Sequence, residues 1–321
     1  WAVRKPTAAA RLLQPIGALY GFATARRMAE PGERAGAPVI CVGNFVAGGA
    51  GKTPAAIALA QMLIADRKRV AFLSRGYGGA KRVEPVEVDP NVHDARVVGD
   101  EPLLLARVAR CWVGPDRVQS ARWAVEAGSD ALILDDGLQN PSLAKDLAFA
   151  VVDGETGFGN GLCVPAGPLR APLEAQAPLV RALIVIGGDE AAIRDISQAV
   201  PSKPILRANL EPDALAAAPL IGREVVAFAG IARPDKFYAT LRRVGAQIVA
   251  TRSFPDHHHF RPRQIEALIE EAGARGALLA TTEKDRVRLS PKYARAVVTL
   301  PVTLRFEEPR LAKGMLRRAF R

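Results

Sequence analysis

Short apolar runs rich in β-branched residues alternate with helical patterns along most of the chain. The predicted strands of the first half lie at residues 38–45, 69–76, 131–136, 147–153 and 182–187. The predicted helices between them lie at residues 54–66, 102–110 and 116–127. This alternation is typical of βαβ units that build a parallel sheet, so the pattern predicts an α/β fold.

The alternation is interrupted at residues 157–178, which are rich in Gly, Pro and Ala. This stretch is too long for an ordinary connection, and it indicates a functional loop or the approach to a domain boundary. A second series follows, with strands at 224–230, 246–254 and 277–285 and helices near 234–244 and 262–272. A chain of 321 residues has room for about two domains. We therefore expect a first lobe at residues 1–178, a smaller α/β lobe at 179–306 that closes over a cleft, and a C-terminal helix at about 307–321 that packs back on the first lobe.

Composition narrows the class of partner. The chain has 44 Lys and Arg against 33 Asp and Glu, a net charge of +11, which points to nucleic acid, an acidic membrane surface or a phosphorylated substrate. Aromatic residues make up only 6% of the chain and the basic residues are dispersed, so a nucleic-acid-binding module is disfavoured. Three scattered cysteines argue against a disulfide framework and for a reducing compartment.

The N-terminal region contains an uncharged stretch, residues 12–25, with basic residues on both sides. It is shorter than the roughly 20 apolar residues of a spanning helix, and it contains Pro15, Gly17 and Gly21. A secretory signal also fits poorly. Two interpretations stay open: a helix that lies on an anionic membrane surface, and a helix packed on the protein's own core.

A glycine-rich motif, GGAGKT at residues 48–53, stands between a predicted strand and a predicted helix. Phosphate binding needs this placement, because successive backbone N–H groups and a helix N-terminus face the anion. Lys52 would reach the β- and γ-phosphates, and the Thr53 hydroxyl would ligate Mg²⁺. Val46 stands where the longer form of the motif has its first glycine. The predicted nucleotide-binding residues are Gly48, Gly49, Ala50, Gly51, Lys52, Thr53 and Pro54.

Acidic pairs follow the glycine-rich motif at two places. The apolar strand at 131–136 ends in Asp135 and Asp136, the Walker B arrangement that delivers a carboxylate to a metal. One of the two would face the metal while the other organises a basic neighbour, and the sequence leaves open which does which. Asp100 and Glu101 precede a predicted helix. They are either an acidic first turn that complements the helix dipole, or a general base and metal contact.

A histidine run at residues 257–259 follows Asp256 and holds three of the four histidines in the chain. No Cys or carboxylate spacing nearby supports a tetrahedral zinc site. The run is either a solvated loop or the source of a histidine, oriented by a carboxylate, that helps to deprotonate an alcohol.

Taken together, these motifs resemble the tetraacyldisaccharide 4′-kinases, the ATP-dependent lipid A 4′-kinases of Gram-negative bacteria. The resemblance runs nearly end to end. In chain order, it rests on PIGALYG (15–21), VGN (42–44), GGAGKTP (48–54), SRGYG (74–78), VGDEP (98–102), DDGLQ (135–139), PAGPLR (165–170), FPDHH (254–258) and TEKD (282–285). The chain departs from the family pattern at Asn140, where a His often follows, and at Ala171, where a Glu often follows.

The resemblance implies a P-loop NTPase-like parallel-sheet lobe with a second, smaller lobe. It also implies transfer of phosphate from ATP, with Mg²⁺, to the 4′-hydroxyl of an acylated glucosamine disaccharide 1-phosphate at the cytoplasmic face of the inner membrane. Implied catalytic residues are Asp100 as proton acceptor, His257 in preference to His258 as its helper, and Lys52. Implied metal ligands are Thr53 with Glu101 or one of Asp135 and Asp136. Implied substrate contacts are Arg75, Tyr77, Arg117, Gln139, Asn160 and Arg170, with Arg117 also organising the Walker B pair.

A GTPase or metallochaperone-like switch ATPase with the same loop is the rival interpretation. The guanine-binding pattern N-K-x-D would distinguish it, and the similar TEKD at residues 282–285 lacks the Asn and the spacer residue. We expect no nucleic-acid partner and no obligate protein partner.

Overall fold

The computed structural model describes residues 5–49, 51–80 and 83–320. Their strands, in chain order, are β1 (Val39–Gly43), β2 (Val70–Ser74), β3 (Val86–Glu87), β4 (Arg110–Val113), β5 (Ala131–Asp135), β6 (Leu147–Asp153), β7 (Ala182–Ile186), β8 (Ile205–Pro212), β9 (Glu224–Ala229), β10 (Gln247–Ser253), β11 (Leu278–Thr281), β12 (Val298–Thr299) and β13 (Val302–Phe306). The α-helices are α1 (Ala8–Met28), α2 (Lys52–Ala65), α3 (Ala95–Val98), α4 (Asp100–Leu105), α5 (Arg117–Glu126), α6 (Leu173–Gln176), α7 (Glu190–Ala199), α8 (Ala214–Ala217), α9 (Pro234–Arg243), α10 (Pro262–Ala274), α11 (Glu283–Arg286), α12 (Pro291–Ala294) and α13 (Pro309–Arg318).

The larger sheet has nine strands within the described residues, in the order β13-β8-β7-β6-β1-β5-β2-β4-β3. Its neighbours pair in parallel except at the two edges, where β3 and β13 run antiparallel to their partners. Every residue of β1, β5 and β6 is buried, because the two faces of this sheet are covered by separate apolar clusters. The expected α/β fold with a parallel sheet is confirmed.

Among the described residues, the smaller sheet has four strands in the order β10-β9-β11-β12, and all its pairs are parallel. Its two faces carry their own apolar clusters, centred on Phe237 and Phe228. Strands β9, β10 and β11 end on the side of the first lobe. The segments that follow them are residues 230–233, 254–258 and 282–284. Functional side chains from the second lobe therefore come from the carboxyl ends of its strands, where ligands bind to parallel sheets.

The boundary between the lobes differs from the expectation. The division at residue 178 places β7, β8 and β13 in the second lobe, but β7 pairs with β6, β8 with β7, and β13 with β8. All three strands therefore belong to the larger sheet, and the smaller sheet begins at β9. The hydrophobic pattern could not predict which sheet these strands join, because a buried strand after a helix has the same apolar sequence in either sheet.

The strands and helices predicted for the first half agree with the structure to within a few residues, with one exception, and the pattern missed β3, β4 and α3. The helix expected at 102–110 ends at Leu105, and β4 begins at Arg110. The C-terminal helix α13 returns to the first lobe, where Lys313 and Arg317 pair with Asp66 at the end of α2.

The N-terminal helix α1 has two faces. Its buried positions are mostly small, and Gly17 and Gly21 lie so close to Cys163 that a Cβ at either would be 2.6–2.7 Å from that residue. Its large apolar side chains are exposed, among them Leu12 at 82% and Leu19 at 70%. Among the described residues, no helix is both long enough and apolar enough to cross a membrane. One face of α1 therefore packs on the protein, and its opposite face exposes a stripe of large apolar side chains.

Candidate active site

The glycine-rich loop after β1 is shaped by internal hydrogen bonds. The buried Asn44 donates through Nδ2 to the carbonyl of Gly48 at 3.1 Å, and the Lys52 ammonium donates to the same carbonyl at 3.2 Å. Gly48 and Gly51 have φ of 111° and 84°, a region that favours glycine. Ala50 lies outside the described residues. A loop of this form, leading into a helix, presents backbone N–H groups to an anion.

Lys52 and Thr53 begin α2 and are almost completely buried. With Gly49, Gly51 and Pro54 they line a cavity of about 410 Å³ between the lobes. The same cavity is lined by apolar side chains, including Ile57, Ile186, Leu210, Phe237 and Leu304. A phosphate-binding loop beside an apolar lining suits a nucleotide, whose phosphates are anionic and whose base is flat and largely apolar.

Asp135 and Asp136, at the end of β5, have different partners. Asp136 accepts two hydrogen bonds from the Arg170 guanidinium, at 2.7 and 2.9 Å, and lies 3.6 Å from the Lys52 ammonium. Burial opposes its ionisation, but the charges of Lys52 and Arg170 outweigh burial and lower the pKa of Asp136. Asp135 is 2% exposed, and among the described residues its Oδ1 has no hydrogen-bond partner. Burial, with the negative charge of Glu101, raises the pKa of the Asp135 carboxyl.

The surroundings of Asp135 fit a magnesium ion. A buried carboxylate with an unshared oxygen is stabilised by a cation, and Mg²⁺ takes one or two carboxylates together with phosphate, hydroxyl and water oxygens. Thr53 and Glu101, which line the nucleotide cavity, would be the further oxygen donors. Across the part of the chain that the structure describes, no three His, Cys, Asp or Glu side chains could hold a metal by themselves. The donor set therefore suits a metal that shares its ligands with nucleotide and water.

Asp100, the first residue of α4, joins the two lobes. Its Oδ1 accepts the backbone N–H of Glu101 at 2.8 Å. Its Oδ2 contacts His257 Nδ1 at 3.2 Å and accepts from Arg288 Nε at 2.8 Å and from Arg288 Nη2. Beside this group, Lys284 donates to the Glu101 carboxylate at 2.6 Å. We call these five residues the Asp100 cluster.

Within the Asp100 cluster, the pKa of Asp100 is lowered and the pKa of His257 is raised. Burial opposes ionisation of Asp100, but the hydrogen bond from His257 and the charge of Arg288 prevail and lower the pKa of Asp100 far below its ordinary value. The hydrogen bond to Asp100 raises the pKa of His257, although burial acts against this. A proton delivered to the pair is therefore held by the imidazole, and Asp100 stays ionised.

The structure brings His257 rather than His258 to Asp100. His257 has φ of 56°, and its backbone N–H donates to the Gly230 carbonyl at 3.1 Å, which turns the ring toward the first lobe. His258 stacks on Phe254 and bonds to Gln264 at 3.1 Å inside its own lobe.

Arg288 is the main residue that sequence reasoning missed. Its side chain is 1% exposed and bridges Asp100, the Gly230 carbonyl at 2.7 Å and Asp285 at 3.0 Å. Asp285 in turn accepts the Gly230 N–H at 2.9 Å. No signal in the chain marks Arg288, because its role depends on contact with the other lobe. In the TEKD stretch, Lys284 and Asp285 form ion pairs within this network, so they are not positioned to bind a guanine base as the N-K-x-D pattern would.

Three predicted substrate contacts lie at or behind the end of β2 and the start of α5. Arg75 and Tyr77 are exposed, and the Tyr77 ring lies edge-on to His257 with centroids 5.1 Å apart. Arg117 is 3% exposed and donates to the Gly114 carbonyl at 2.5 Å. Burial, then the charge of Arg75, lowers the pKa of Arg117 to about 10. Arg117 is thus a buried cation near the Walker B pair, and Arg75 and Tyr77 are open to a ligand.

Gln139 and Asn160 are engaged in internal hydrogen bonds. Gln139 donates to the Asn44 carbonyl and to Gln176, each at 2.8 Å, and accepts from Arg170 at 3.2 Å. Asn160 donates to the Ala166 carbonyl at 2.9 Å and accepts the Leu162 N–H at 3.1 Å, within the Gly/Pro-rich stretch. Their roles as substrate contacts stay predictions.

The Gly/Pro-rich stretch is a loop packed on the first lobe rather than a linker between the lobes. Ala47 N–H donates to the Pro168 carbonyl at 2.7 Å, and Arg170 N–H donates to the Phe45 carbonyl at 2.8 Å. The stretch therefore lies against the phosphate-binding loop and delivers the Arg170 guanidinium to Asp136.

A phosphate-binding loop, a Walker B pair and a carboxylate–histidine pair that the two lobes form together define the class: a two-lobed P-loop phosphotransferase. Comparison with known proteins gives the family. The family model described as tetraacyldisaccharide-1-P 4′-kinase (LpxK) matches residues 9–320, and the chain belongs to this family.

Individual relatives agree with the family match. The chain is 57% identical over 306 residues to a tetraacyldisaccharide 4′-kinase of Methylobacterium sp. (strain 4-46), covering 95% of this chain and 91% of that protein. It is 50% identical over 307 residues to one of Gluconacetobacter diazotrophicus, covering 96% and 93%. The crystal structure of LpxK from Aquifex aeolicus in complex with ATP is similar with a TM-score of 0.75 and 26% identity, covering 98% of this chain and 100% of that one. The family resemblance of the sequence is confirmed.

Proposed function

We propose that this protein transfers the γ-phosphoryl group of ATP to the 4′-hydroxyl of a tetraacylated glucosamine disaccharide 1-phosphate, a step of lipid A biosynthesis. The observation that carries the proposal is the Asp100–His257 pair, which two lobes assemble beside a phosphate-binding loop in a chain of this family. A switch ATPase has no need of a paired proton acceptor for an alcohol.

The phosphate-binding loop and Lys52 hold and neutralise the nucleotide phosphates. Phosphoryl transfer depends mainly on such positioning and charge neutralisation. Thr53, Asp135 and Glu101 would hold Mg²⁺, and the ion would supply positive charge that offsets the negative charge of the phosphates. Asp136 keeps Lys52 and Arg170 in place through its two charge-assisted contacts.

The acceptor hydroxyl loses its proton to the Asp100–His257 pair. A new bond forms between the hydroxyl oxygen and the γ-phosphorus, the bond to the ADP oxygen breaks, and the proton leaves the hydroxyl. Because Asp100 stays ionised and the imidazole is the stronger base of the two, the proton accepted beside Asp100 comes to rest on His257. Arg288 fixes the carboxylate in this orientation.

The anionic acceptor needs cations, and the first lobe offers them near the pair. Arg75 is exposed at the end of β2, and Tyr77 beside it lies against His257. We assign Arg75 and Tyr77 to the sugar and its phosphate. Arg170, Gln139, Asn160 and Arg117 make internal hydrogen bonds that hold this part of the first lobe in place.

The same proposal includes binding to an anionic membrane surface through α1. Leu12, Ile16, Leu19 and Phe22 expose more than half of their side chains, and Arg11, Arg26 and Arg27 of the same helix are exposed. An apolar stripe with basic residues is the composition of a helix that lies in an anionic interface. The occupant we propose is a bilayer, because the acceptor is an acylated lipid and α1 packs against the loop that carries Arg170.

The membrane proposal is tested by vesicle flotation with anionic phospholipid. Changing both Leu19→Gln and Phe22→Gln should lower the membrane partition coefficient by about 100-fold, since each exposed apolar side chain contributes on the order of 1.5 kcal/mol when it is buried. Leu215→Gln, at a residue 87% exposed on α8, is the matched control. Equal binding of the double variant and the control would refute this role of α1.

The kinase proposal is tested by incubating the protein with radiolabelled ATP and purified disaccharide 1-phosphate lipid, with GTP and RNA as controls. Label should appear in the lipid only when Mg²⁺ is present. It should be absent when labelled GTP replaces ATP as the donor, and RNA in place of the lipid should not be labelled. Release of inorganic phosphate without labelled lipid would favour the switch ATPase.

A further inference from the structure

A second group of charges joins the lobes at the nucleotide cavity, away from the Asp100 cluster. Asp153, at the end of β6, accepts from Arg233 and from Lys236, each at 2.6 Å. Glu155 accepts from Arg233 at 2.6 Å and lies 3.4 Å from the Lys236 ammonium. The two carboxylates belong to the first lobe, and the two cations belong to the first turn of α9 and the residue before it. We call these four residues the Asp153 cluster.

The Asp153 cluster faces the phosphate-binding loop. Arg233, Lys236 and Asp153 line the same cavity as Gly49, Lys52 and Thr53. Residues 49 and 232 are close enough that a Cβ on Gly49 would stand 3.7 Å from the Ala232 Cβ. The segment that carries Arg233 therefore lies directly against the loop.

Asp153 is oriented by its own turn rather than by the cations. Its Oδ1 accepts the backbone N–H of Glu155 at 3.0 Å, and its Oδ2 receives both Arg233 and Lys236. Burial opposes its ionisation, but the Lys236 hydrogen bond and the nearby positive charges lower the pKa of Asp153. One fixed carboxylate thus holds two cations at the cavity wall.

The two cations keep capacity for another anion. Arg233 and Lys236 are 37% and 35% exposed, and Glu155, the second carboxylate, is 57% exposed. A guanidinium has five N–H donors and an ammonium has three, more than the contacts to Asp153 use. Phosphate oxygens are the ligands that such cations bind beside a helix N-terminus.

We propose that Arg233 and Lys236 bind the polyphosphate of the nucleotide from the second lobe, while Asp153 positions them and Glu155 is the carboxylate that the phosphates displace. The inference rests on the proposed use of ATP. The proposal makes the second lobe part of the nucleotide site.

The test is direct binding of ATP, ADP and adenosine, measured by displacement of a fluorescent ATP analogue from the protein. Arg233→Ala and Lys236→Ala should each weaken ATP and ADP by about tenfold, the lower end for a hydrogen bond to a charged group, and leave adenosine unchanged. Arg242→Ala removes the same charge from an exposed position on the same helix and should leave all three affinities unchanged. Arg233→Lys, which keeps the charge, should recover part of the loss.

Glu155→Gln gives the opposite expectation. If phosphate displaces Glu155, its removal should leave ATP affinity equal to that of the wild type or strengthen it. A Glu155→Gln variant that weakens ATP as much as Arg233→Ala would overturn the displacement. The whole inference would be overturned if Arg233→Ala and Lys236→Ala bound ATP as tightly as the control Arg242→Ala.

Phosphoryl transfer to lipid, measured on the wild-type protein, separates this inference from the proposed function. Wild-type protein that binds ATP but transfers nothing to lipid contradicts the proposed function and leaves the binding comparison decisive for Arg233 and Lys236. Wild-type protein that binds no ATP contradicts both.

Discussion

The two clusters that join the lobes differ in burial, and burial decides what each can do. In the Asp100 cluster, the side chains of Asp100 and Arg288 are 3% and 1% exposed. In the Asp153 cluster, Arg233 and Glu155 are 37% and 57% exposed. A buried pair cannot lose one member without leaving an uncompensated charge, whereas an exposed pair is screened and can exchange partners. The first cluster is therefore suited to hold a charge and a proton in place, and the second to receive a ligand.

The largest expected effect comes from the buried cluster. Asp100→Asn should lower kcat by about 10²–10⁴-fold while ATP affinity is kept, because the variant loses the carboxylate that orients His257 and assists deprotonation. Single-turnover transfer and nucleotide titration measure the two quantities. Glu126→Gln, a change from acid to amide at an exposed residue of the first lobe, is the control. Undiminished kcat in Asp100→Asn would remove Asp100 from this role.

The second effect concerns stability. Arg288→Met should lower the free energy of unfolding by about 3–5 kcal/mol, because Asp100 is left buried without its cation. The double variant Arg288→Met with Asp100→Asn should lose less than the sum of the two single changes, since Asp100 is then no longer a buried charge without its cation. Urea denaturation measures all three. A cost of Arg288→Met below about 1 kcal/mol would make the buried cluster equivalent to a surface pair.

The third effect is a pH dependence. The hydrogen bond to Asp100 raises the pKa of His257 above the ordinary 6.5, so His257 carries a proton at pH values where a free histidine is neutral. The protonated pair cannot accept the hydroxyl proton, so kcat/KM should rise with pH through a midpoint above 6.5. Asp256→Asn should lower that midpoint, because the Asp256 charge also stabilises the imidazolium. His259→Gln, at an exposed position, should not change it, and a wild-type midpoint at or below 6.5 would count against the assignment.

The smallest effect belongs to the exposed cluster. Glu155→Gln should change the free energy of unfolding by less than about 1 kcal/mol, because its ion pairs are partly solvated and Asp153 keeps both cations. Comparison with Arg288→Met in the same denaturation experiment shows the contrast directly. A cost as large as that of Arg288→Met would mean that the two clusters do not differ as burial indicates.

Local sequence was sufficient for the first lobe's half of the site. The glycine-rich loop, Lys52, Thr53 and the Asp135–Asp136 pair each stand at a strand end or a helix start, so a short window carries both the residue and its position. The same logic marked Asp100 at the start of a predicted helix but left its role open, and the family resemblance supplied the role of proton acceptor. These signals depend only on neighbours along the chain.

The second lobe's half depends on contacts between residues far apart in sequence. Arg288 lies 188 positions from Asp100, and Arg233 lies 80 positions from Asp153. No period or motif marks either residue, and the membership of β7 and β8 in the larger sheet was hidden for the same reason. His257 was found through a family motif, and only the positive φ of the structure explains why it rather than His258 turns to the cleft.

The most direct test is the position of the phosphate in the product. Disaccharide 1-phosphate lipid is incubated with ATP and wild-type protein, and ³¹P–¹H correlation identifies the carbon that carries the new phosphomonoester. A single new signal correlated with the 4′ proton is the predicted result. Phosphate on any other hydroxyl, or ATP consumed with no new phosphomonoester, would contradict the proposed reaction.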